Sequence, residues 1–406
     1  MAVRISAPGG SGENGRNCFL LQCGAGSFLF DCGVLRETRG DAVGGYPALT
    51  PELVRSLDAV FLSHAHEDHS AALPLLYALG YRGRVYASPE TADAAPAMIR
   101  KWMRFVRARG GTLPYSEKDA EAPVFSPLPL GESTVCGLPV LTGRSGHTPG
   151  GLWFSVRADG KTVLFSGDLC PSSPTLAFDP PPPCDAVLLD CASAGRTADS
   201  AAQDTALSRL VRRCAETRGV LLFPLPAVGR GSDVLLRLLP FTELLPVYAE
   251  KAIADACLAL KARTGWLKRG VTVPDSFPGL RIVGTDAERE AACRERFGVY
   301  LVTDGMLTAP ESAVYLAAFR EDGNARCVLT GHAAAGTPAA ELLSGGSRMR
   351  TERLTLPVHP DAAELQKLLS RLGAGTGVCF HAPAEDCGWL AELGLRCLAP
   401  GETLTV

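Results

Sequence analysis

The residues best suited to chemistry lie in the stretch 63–69, which reads SHAHEDH. Four potential metal ligands fall within six residues there, namely His64, His66, Asp68 and His69. Imidazole and carboxylate groups are ligands that zinc accepts. A turn whose polar side chains are all hydrogen-bonded would explain any one of these residues, but it does not explain the four together. We therefore predict a metal centre at this point of the chain.

Other candidate ligands stand at the ends of predicted strands. The chain has seven histidines in all, and His147 follows a strand within the glycine-rich stretch 145–151. Asp168 follows the predicted strand 162–166, and His381 follows the predicted strand 378–380. Loops at strand ends are held by a rigid sheet and commonly carry functional residues. We expect these three side chains to reach the same metal centre.

Short strands and helices in the first half of the chain must position these residues. Apolar runs predict strands, and apolar spacings of three and four predict helices. Strands are expected at 18–23, 28–31, 59–63, 84–87, 134–141, 152–157, 162–166 and 186–189. Helices are expected at 71–79 and at 92–107, with Asp68 and His69 at the start of the first.

From about residue 201 helices and strands alternate. The helices are expected at 207–217, 232–239 and 287–296, and the strands at 219–223, 281–283 and 298–302. This alternation predicts a mainly parallel sheet with helices on its faces. From about residue 350 short strands return, with a helix at 362–371.

The composition narrows the class of protein. Hydrophobic residues make up 46% of the chain and charged residues 20%, which is typical of a globular protein. No apolar run of about 18 residues predicts a membrane span, and the N-terminus lacks the apolar segment of a signal peptide. The 14 cysteines include members of apolar runs, so we expect mostly reduced thiols and a cytoplasmic protein. The net charge of −3 supplies no overall basic field for nucleic acid, although a local groove would suffice.

The order of these motifs resembles the metallo-β-lactamase superfamily. Asp31 within 30–33 (FDCG), the HAHEDH box, His147 and Asp168 match its successive motifs. The resemblance implies an α/β fold, the αββα sandwich of that superfamily. It also implies that His64, His66 and His147 bind a first zinc, that Asp68 and His69 bind a second, and that Asp168 bridges them. Asp31 would orient ligands.

The middle of the chain resembles the β-CASP group of this superfamily. The stretches 224–230 (PLPAVGR), 303–307 (TDGML) and 330–337 (TGHAAAGT) are similar to its signatures and occur in the same order. The resemblance implies a β-CASP domain at 196–345, a parallel sheet flanked by helices. That domain would be inserted in a metallo-β-lactamase domain made of residues 1–195 and 346–406.

Further motifs of the group assign more of the site by resemblance. Asp190 matches its acidic residue, His359 its second motif, and His381 its third, which completes the second zinc. Arg230 and the turn Gly336–Thr337 are candidates for contact with substrate phosphate. The other six histidines are assigned to the active site by resemblance. For His332 a solvated or packing role is expected.

The group consists of nucleic-acid hydrolases, so the resemblance implies a ribonuclease that cleaves single-stranded RNA, with DNA as the alternative substrate. Two zinc ions, or manganese in their place, would bridge a water and form the attacking hydroxide beside Asp68. His359, paired with Asp190, is the candidate proton donor to the leaving oxygen. A homodimer is consistent with this interpretation.

Two other functions stay open. The sequence departs from the group's pattern at 191–194 (CASA), 357–359 (PVH) and 381–383 (HAP), and its GHTPG turn resembles small-molecule hydrolases. These departures favour a hydrolase of a small ester, thioester or nucleotide. An inactive nucleic-acid-binding subunit is the third interpretation, although such proteins usually lose zinc ligands that this chain keeps.

The predicted helix 92–107 allows two interpretations. Arg100, Arg104 and Arg107 share one face, and Trp102 and Phe105 lie between them in sequence. The aromatic side chains could stack on nucleic-acid bases. We prefer the alternative, in which the arginines form a solvated face and the aromatic side chains belong to the core.

Overall fold

A computed structural model describes residues 2–36, 43–195, 200–331, 333, 336–356 and 358–406. The chain forms two compact units. Unit 1 comprises residues 1–197 and 359–406, and unit 2 comprises residues 198–358. None of the helices in the described ranges is both long and apolar enough to cross a bilayer.

The first segment of unit 1 is rich in strands. Its strands are β1 (Arg4–Gly9), β2 (Cys18–Cys23), β3 (Gly26–Phe30), β4 (Ala59–Phe61), β5 (Val85–Ala87), β6 (Phe125–Pro127), β7 (Gly131–Val135), β8 (Leu138–Arg144), β9 (Leu152–Ala158), β10 (Lys161–Phe165) and β11 (Ala186–Asp190). Its helices are α1 (Pro51–Arg55), α2 (Glu67–Ser70), α3 (Leu73–Ala78), α4 (Pro89–Ala108) and α5 (Glu117–Ala120).

Unit 2 alternates helices and strands. The helices are α6 (Ser200–Thr217), α7 (Arg230–Leu238), α8 (Lys251–Ala259), α9 (Asp286–Glu295), α10 (Pro310–Phe319) and α11 (Pro338–Leu343). The strands are β12 (Val220–Pro224), β13 (Val247–Glu250), β14 (Leu280–Val283), β15 (Gly298–Val302), β16 (Ala325–Leu329) and β17 (Arg350–Arg353). Short 3₁₀ helices lie at Leu239–Phe241 and Leu260–Trp266.

The last segment returns to unit 1. It contains α12 (Ala362–Leu372), β18 (Thr376–Phe380), a 3₁₀ turn at Ala384–Asp386, α13 (Cys387–Glu392), β19 (Leu395–Arg396) and β20 (Thr403–Thr405). Asp361 caps α12, because its side chain accepts a hydrogen bond from the backbone of Glu364 at 2.9 Å. This segment carries His359 and His381.

Two sheets face each other in unit 1. Their strand orders are β20-β1-β2-β3-β4-β5-β6 and β19-β18-β11-β10-β9-β8-β7. Phenylalanine rings fill the space between them, and ring centroids from the two sheets lie 5.2–6.0 Å apart at the contacts of Phe19 with Phe380, Phe30 with Phe154 and Phe61 with Phe154. Each of these buried rings contributes about 1.5–3 kcal/mol to folding.

Helices cover the outer faces of both sheets. Leu76 of α3 and Trp102 of α4 belong to the core on one side. Leu365 and Leu368 of α12 and Leu390 of α13 belong to the core on the other side. The layers of unit 1 are therefore helix, sheet, sheet and helix, as predicted.

Unit 2 contains a parallel sheet with the strand order β14-β13-β15-β12-β16-β17. Every strand pairing within it is parallel. Buried apolar side chains form a core on each face, represented by Leu235 on one and Tyr315 on the other. The βα alternation in the sequence predicted this arrangement.

Three details differ from the expectations. Asp68 and His69 do not open the helix predicted at 71–79, because they lie in the separate short helix α2, which ends before α3 begins at Leu73. The stretch 134–141 is a hairpin, because the chain turns at Cys136 and Gly137 between β7 and β8. The second boundary between the units lies after residue 358, whereas the sequence placed it after residue 345. It lies later because β17 pairs with β16 and so belongs to the sheet of unit 2.

Candidate metal centre

The HAHEDH box forms a turn between β4 and α2. β4 is buried between β3 and β5, and the chain leaves the sheet at its carboxyl end. His66 immediately precedes α2, and Asp68 and His69 lie within that helix. Ser70 Oγ donates hydrogen bonds to the carbonyl oxygens of Ala65 and His66, at 2.8 and 3.0 Å. These hydrogen bonds fix the shape of the turn that carries the four candidate ligands.

The first group of candidate ligands contains three histidines and one aspartate. His64, His66, His147 and Asp168 place one ligand atom each within 4.8 Å of one another. Asp168 Oδ2 lies 3.6 Å from His64 Nε2 and 3.5 Å from His147 Nε2. His147 Nε2 also lies 3.2 Å from His66 Nδ1. The structure thus brings together the residues predicted for the first zinc.

The second group contains Asp68, His69 and His381, whose ligand atoms again lie within 4.8 Å of one another. Asp68 Oδ2 lies 3.1 Å from His381 Nε2 and 3.6 Å from His69 Nε2. His381 follows β18, far along the chain from the other two residues. The residues predicted for the second zinc therefore also meet.

Asp168 faces both groups with different oxygens. Its Oδ2 faces His64 and His147 of the first group, whereas its Oδ1 lies 3.1 Å from His69 Nε2 of the second. The same Oδ1 lies 3.5 Å from His381 Nδ1. This arrangement suits a carboxylate shared by two neighbouring cations, the role that the resemblance implied.

The electrostatics of the site favour ionised carboxylates. Burial alone would raise the pKa of Asp168, but the surrounding histidines, His69 first among them, hold that pKa well below its usual range. The pKa of Asp68 is likewise lowered, because His69 and His381 outweigh the effect of burial. Burial lowers the pKa of the His64 imidazole, which favours its neutral form. Ionised carboxylates and a neutral imidazole are the forms that bind metal cations. The same carboxylates outweigh burial and raise the pKa of His69 and His381, so a bound cation would have to displace a proton from each of these two imidazoles.

Asp31 connects the outer side of His69 to the HAHEDH turn. Its Oδ2 lies 2.6 Å from His69 Nδ1 and accepts a hydrogen bond from Ser63 Oγ at 2.6 Å. Its Oδ1 accepts a hydrogen bond from the backbone of Ser63 at 2.7 Å. A proton on His69 Nδ1 leaves Nε2 unprotonated and directed at the site. This contact suits the orienting role that the resemblance implies for Asp31, which stays a prediction.

Asn17 is a residue of this site that the sequence did not single out. It is fully buried, and its Nδ2 lies 2.9 Å from His69 Nε2. Its backbone N–H donates to the carbonyl oxygen of Asp68 at 2.9 Å. The only sequence signal was an amide residue placed directly before the apolar strand 18–23.

Gly33 of the FDCG motif lies against the helix that carries the ligands. A Cβ atom at this position would lie 1.6 Å from the backbone oxygen of Asp68. Any side chain would therefore displace α2 and the ligands on it. Close packing explains the glycine of this motif.

His359 and Asp190 form a pair beside the two ligand groups. His359 Nδ1 lies 2.8 Å from Asp190 Oδ2. Asp190 is fully buried at the end of β11 and also accepts hydrogen bonds from the backbone of Leu169 and Ala192. The ring of His359 lies 4.9 Å from that of His147 and 5.1 Å from that of His381, between centroids. The pair predicted from the sequence is present.

The residues of this site fit the metal ions that the resemblance implies. Among the described residues, four buried atoms of the site have no hydrogen-bond partner: Asn17 Oδ1, His64 Nε2, Asp168 Oδ1 and His381 Nδ1. Buried polar atoms are rarely left unpaired, because each costs about 1–3 kcal/mol. Nitrogen and carboxylate oxygen atoms that converge in this way match the ligand set of zinc.

The predicted contacts to substrate phosphate lie in unit 2. Arg230 begins α7, and its Nη1 lies close to Gly331, where a Cβ atom would approach it to 2.2 Å. Thr337 caps α11 by accepting a hydrogen bond from the backbone of Ala340, and Gly336 precedes it with φ of +75°. Phosphate contact by these residues stays a prediction, and His332 lies outside the described residues.

The preferred interpretation of the helix 92–107 is confirmed for Trp102. The side chain of Trp102 is fully buried, and its Nε1 donates to Tyr46 Oη at 3.1 Å. Phe105 is half-buried, with the guanidinium of Arg36 4.3 Å from its ring centroid. Arg100, Arg104 and Arg107 are exposed.

The chain matches a known protein family. Residues 11–212 match the family model of the metallo-beta-lactamase superfamily. This range includes most of the candidate ligands and ends before His359 and His381.

Curated relatives cover a larger part of the chain. The transcription termination factor FttA of Methanothermobacter thermautotrophicus is 28% identical over 373 residues, which span 84% of this chain and 58% of the relative. Ribonuclease TTHA0252 of Thermus thermophilus is 28% identical over 274 residues, 64% of this chain and 61% of the relative. The cleavage and polyadenylation specificity factor 73 of Drosophila melanogaster is 24% identical, over 86% of this chain and 53% of the relative. The chain thus spans less than two thirds of the length of these relatives.

A solved structure shares the fold along the whole chain. The crystal structure of a protein of unknown function from Enterococcus faecalis V583 superposes with a TM-score of 0.65 at 16% identity, and the match covers 100% of both chains. At this identity the likeness shows the fold alone.

Proposed function

The chain belongs to the metallo-β-lactamase superfamily, and on that premise we propose that it is a zinc-dependent phosphodiesterase that cleaves single-stranded RNA. One relative is named a ribonuclease, and others are named for transcription termination and for cleavage and polyadenylation. These names favour an RNA substrate for this chain. DNA is the alternative substrate.

The observation that carries the proposal is the position of Asp168 between two groups of ligand atoms. Its Oδ2 faces His64 and His147, and its Oδ1 faces His69 and His381. Centres with two cations recur in nucleases and phosphatases, in which they stabilise both the attacking and the leaving oxygen of a displacement at phosphorus.

Each of the two zinc ions would have its own set of ligands, with Asp168 common to both. The first zinc would be held by His64, His66, His147 and Asp168, and the second by Asp68, His69, His381 and Asp168. When bound, the ions would supply Lewis acidity, which stabilises negative charge on the phosphoryl oxygens and activates water for attack. Manganese is the alternative cation, since carboxylate and imidazole ligands accept it too.

The residues around the ions have separate tasks. Asp68 would position the attacking water through its free lone pairs, and Asp31 would keep His69 in the metal-binding tautomer. His359 would donate a proton from Nε2 to the leaving oxygen, because Asp190 holds its Nδ1 at 2.8 Å. Without that proton the leaving alkoxide would be a poor leaving group.

Unit 2 is proposed to be the β-CASP domain. Its parallel sheet flanked by helices and the motif stretches 224–230 and 303–307 support the assignment. We propose that Arg230, Gly336 and Thr337 contact substrate phosphates. Guanidinium groups and backbone N–H groups are suitable donors to phosphate oxygens. A homodimer and a cytoplasmic location stay predictions.

The test is cleavage of a 5′-labelled single-stranded RNA by zinc-loaded protein, with and without a chelator. Asp68→Ala and His69→Ala serve as controls in the same assay, and a DNA of the same sequence runs beside the RNA. We expect cleavage by the wild type alone, lost with chelator and regained with zinc, and slower cleavage of DNA.

Absence of cleavage by protein with a filled zinc site would contradict the proposal. Hydrolysis of small esters, thioesters or cyclic nucleotides by that same sample would then support the small-molecule alternative. That alternative is favoured by the stretches 191–194 and 381–383, which depart from the nuclease pattern.

A further inference from the structure

Three cysteines meet in the last segment of unit 1. Cys379 lies in β18, Cys387 begins α13, and Cys397 directly follows β19. Cys387 and Cys397 are joined by a disulfide, and Cys379 Sγ lies 3.3 Å from Cys397 Sγ. All three sulfur atoms lie within 4.8 Å of one another. None of the three belongs to the His/Asp centre described above.

A disulfide alone accounts for two of these sulfur atoms. The third, on Cys379, is fully buried and directed at the bonded pair. Thiolates bound to one zinc at about 2.3 Å each lie roughly 3.8 Å apart in tetrahedral geometry. Cys379 Sγ lies 3.3 Å from Cys397 Sγ, and the three sulfurs lie within 4.8 Å of one another, so the trio is compact enough to surround one ion once the disulfide is reduced.

We propose that, in the reduced protein, Cys379, Cys387 and Cys397 form a thiolate site for a thiophilic d¹⁰ cation, with zinc as the representative ion. Soft thiolate ligands select such cations, whereas the imidazole and carboxylate ligands of the other centre also accept harder ones. The chain would therefore hold a third cation of distinct chemistry. This site does not depend on the RNA-cleaving function proposed above.

The burial pattern indicates how the site is built. Cys379 is the buried member of the site, while Cys387 and Cys397 are only half-buried and lie towards solvent. Three protein ligands leave the fourth position of a tetrahedral zinc open to water or to an added ligand. The cation would link β18, α13 and β19, and β18 leads directly to His381. Binding is thus expected to stabilise the segment that supplies a ligand of the His/Asp centre.

The disulfide and the metal site are alternative states of the same cysteines. A trialkylphosphine with water opens the Cys387–Cys397 bond: the disulfide takes up two electrons and two protons, and the phosphine is oxidised to its oxide. Zinc then binds the three sulfurs and displaces their three thiol protons to solvent. Reduction must therefore precede binding.

The experiment uses the whole chain. Its His/Asp centre is filled with zinc while the disulfide is intact, excess zinc is removed, and the protein is then reduced with phosphine without oxygen and titrated with Cd²⁺. Thiolate ligation gives an ultraviolet sulfur-to-cadmium charge-transfer band, which imidazole and carboxylate ligands do not give. We expect the band to grow to one Cd²⁺ per chain in the wild type and in Cys136→Ser, whose exposed free cysteine lies outside the trio.

Cys387→Ser and Cys379→Ser are expected to lose most of the band. Because Cys387 is half-buried, its variant tests the site with little effect on the core, and circular dichroism verifies that it folds. The Asp68→Ala variant, which impairs the other centre, should keep the band, and this separates the thiolate site from the catalytic proposal. No band in the reduced wild type, or an equal band in Cys387→Ser, would overturn the inference. A Cys387–Cys397 bond that resists phosphine would overturn it as well.

Discussion

His359 Nδ1 lies 2.8 Å from Asp190 Oδ2, and this contact fixes the orientation of the imidazole beside the metal ligands. Asp190 is itself immobilised by hydrogen bonds from the backbone of Leu169 and Ala192, at 3.1 and 3.0 Å. Leu169 directly follows Asp168, so the carboxylate that faces both ligand groups and the one that holds His359 are connected through a single residue. These contacts hold the proposed proton donor at a fixed position relative to the metal centre.

Replacement of His359 by alanine should slow RNA cleavage without loss of metal. A positioned general acid contributes about 100- to 10,000-fold to rate, so we expect a decrease of that order in single-turnover cleavage. Zinc content, measured by atomic emission on the same samples, should equal that of the wild type. A variant that loses zinc would show that His359 is a ligand and not the proton donor.

Asp31→Asn should weaken zinc binding through His69. The amide cannot hold the Nδ1 proton of His69 as the carboxylate does, and changes of this kind typically cost about 10- to 100-fold in metal affinity. Competition with a coloured chelator measures the affinity. Ser63→Ala is the comparison variant: it removes the hydrogen bond to Asp31 at 2.6 Å and the contact with His64 Nδ1 at 3.1 Å but keeps the contact of Asp31 with His69, so it should weaken binding less. Equal affinities for Asp31→Asn and the wild type would contradict the orienting role.

The pair Arg144–Asp179 should give unit 1 a pH-dependent stability. Arg144 donates to both oxygens of Asp179 through its guanidinium, at 2.8 and 2.7 Å, and it directly precedes the turn that carries His147. Burial favours the neutral acid, but the hydrogen bonds from Arg144 hold the pKa of Asp179 below its usual value. Because the pKa of Asp179 is lower in the folded state than in the unfolded chain, the pair stabilises the fold at pH values above the unfolded pKa. That contribution is lost as the pH falls through the folded pKa.

Asp179→Asn should accordingly lower the free energy of unfolding by about 1 kcal/mol at neutral pH, after allowance for solvent screening. The difference from the wild type should stay constant down to pH of about 5 and shrink below the unfolded pKa of about 3.9. Chemical unfolding at several pH values measures it. Glu117→Gln, which removes the exposed pair with Arg107, should change the stability less. A difference that grows towards acid pH would refute the assignment.

Trp102→Ala should destabilise unit 1 by about 3–5 kcal/mol, because it leaves a cavity in the core. Arg104→Ala, on the exposed face of the same helix, should change the free energy of unfolding by less than about 0.5 kcal/mol. Thermal unfolding distinguishes the two variants. Trp102→Phe should bind single-stranded RNA as well as the wild type does, and a large loss of RNA affinity in that variant would revive the base-stacking interpretation.

The metal centre was predictable because its residues are rare and closely spaced. Three of the seven histidines lie in one stretch of six residues, and the family resemblance recognised from the motifs around them is confirmed by the comparisons. The contact of His359 with Asp190 followed from resemblance alone, since 169 positions separate the two residues. Asn17 could not be predicted, because its role depends on the packing of a loop against α2 and not on a motif.

The fold was predictable in its layers and less so in its details. The alternation of helices and strands identified the parallel sheet of unit 2, but β17 was missed as a member because Arg350–Arg353 is polar and pairs only at the sheet edge. The hairpin at Cys136 and Gly137 was predicted as one strand, because residues that favour strands lie on both sides of the turn. The proximity of the three cysteines had no sequence signature, since eight and ten positions separate them along the chain.

The return of the chain to unit 1 after residue 358 sets an order of events during synthesis. His64, His66, His147 and Asp168 leave the ribosome together in the first segment, whereas His359 and His381 emerge only after all of unit 2. β11 can pair with β18 only at that late stage. A nascent chain could therefore capture one cation early, but it cannot assemble the second ligand group or the proton donor. In the proposed mechanism, cleavage of RNA would therefore require synthesis of the segment that follows unit 2 and supplies His359 and His381.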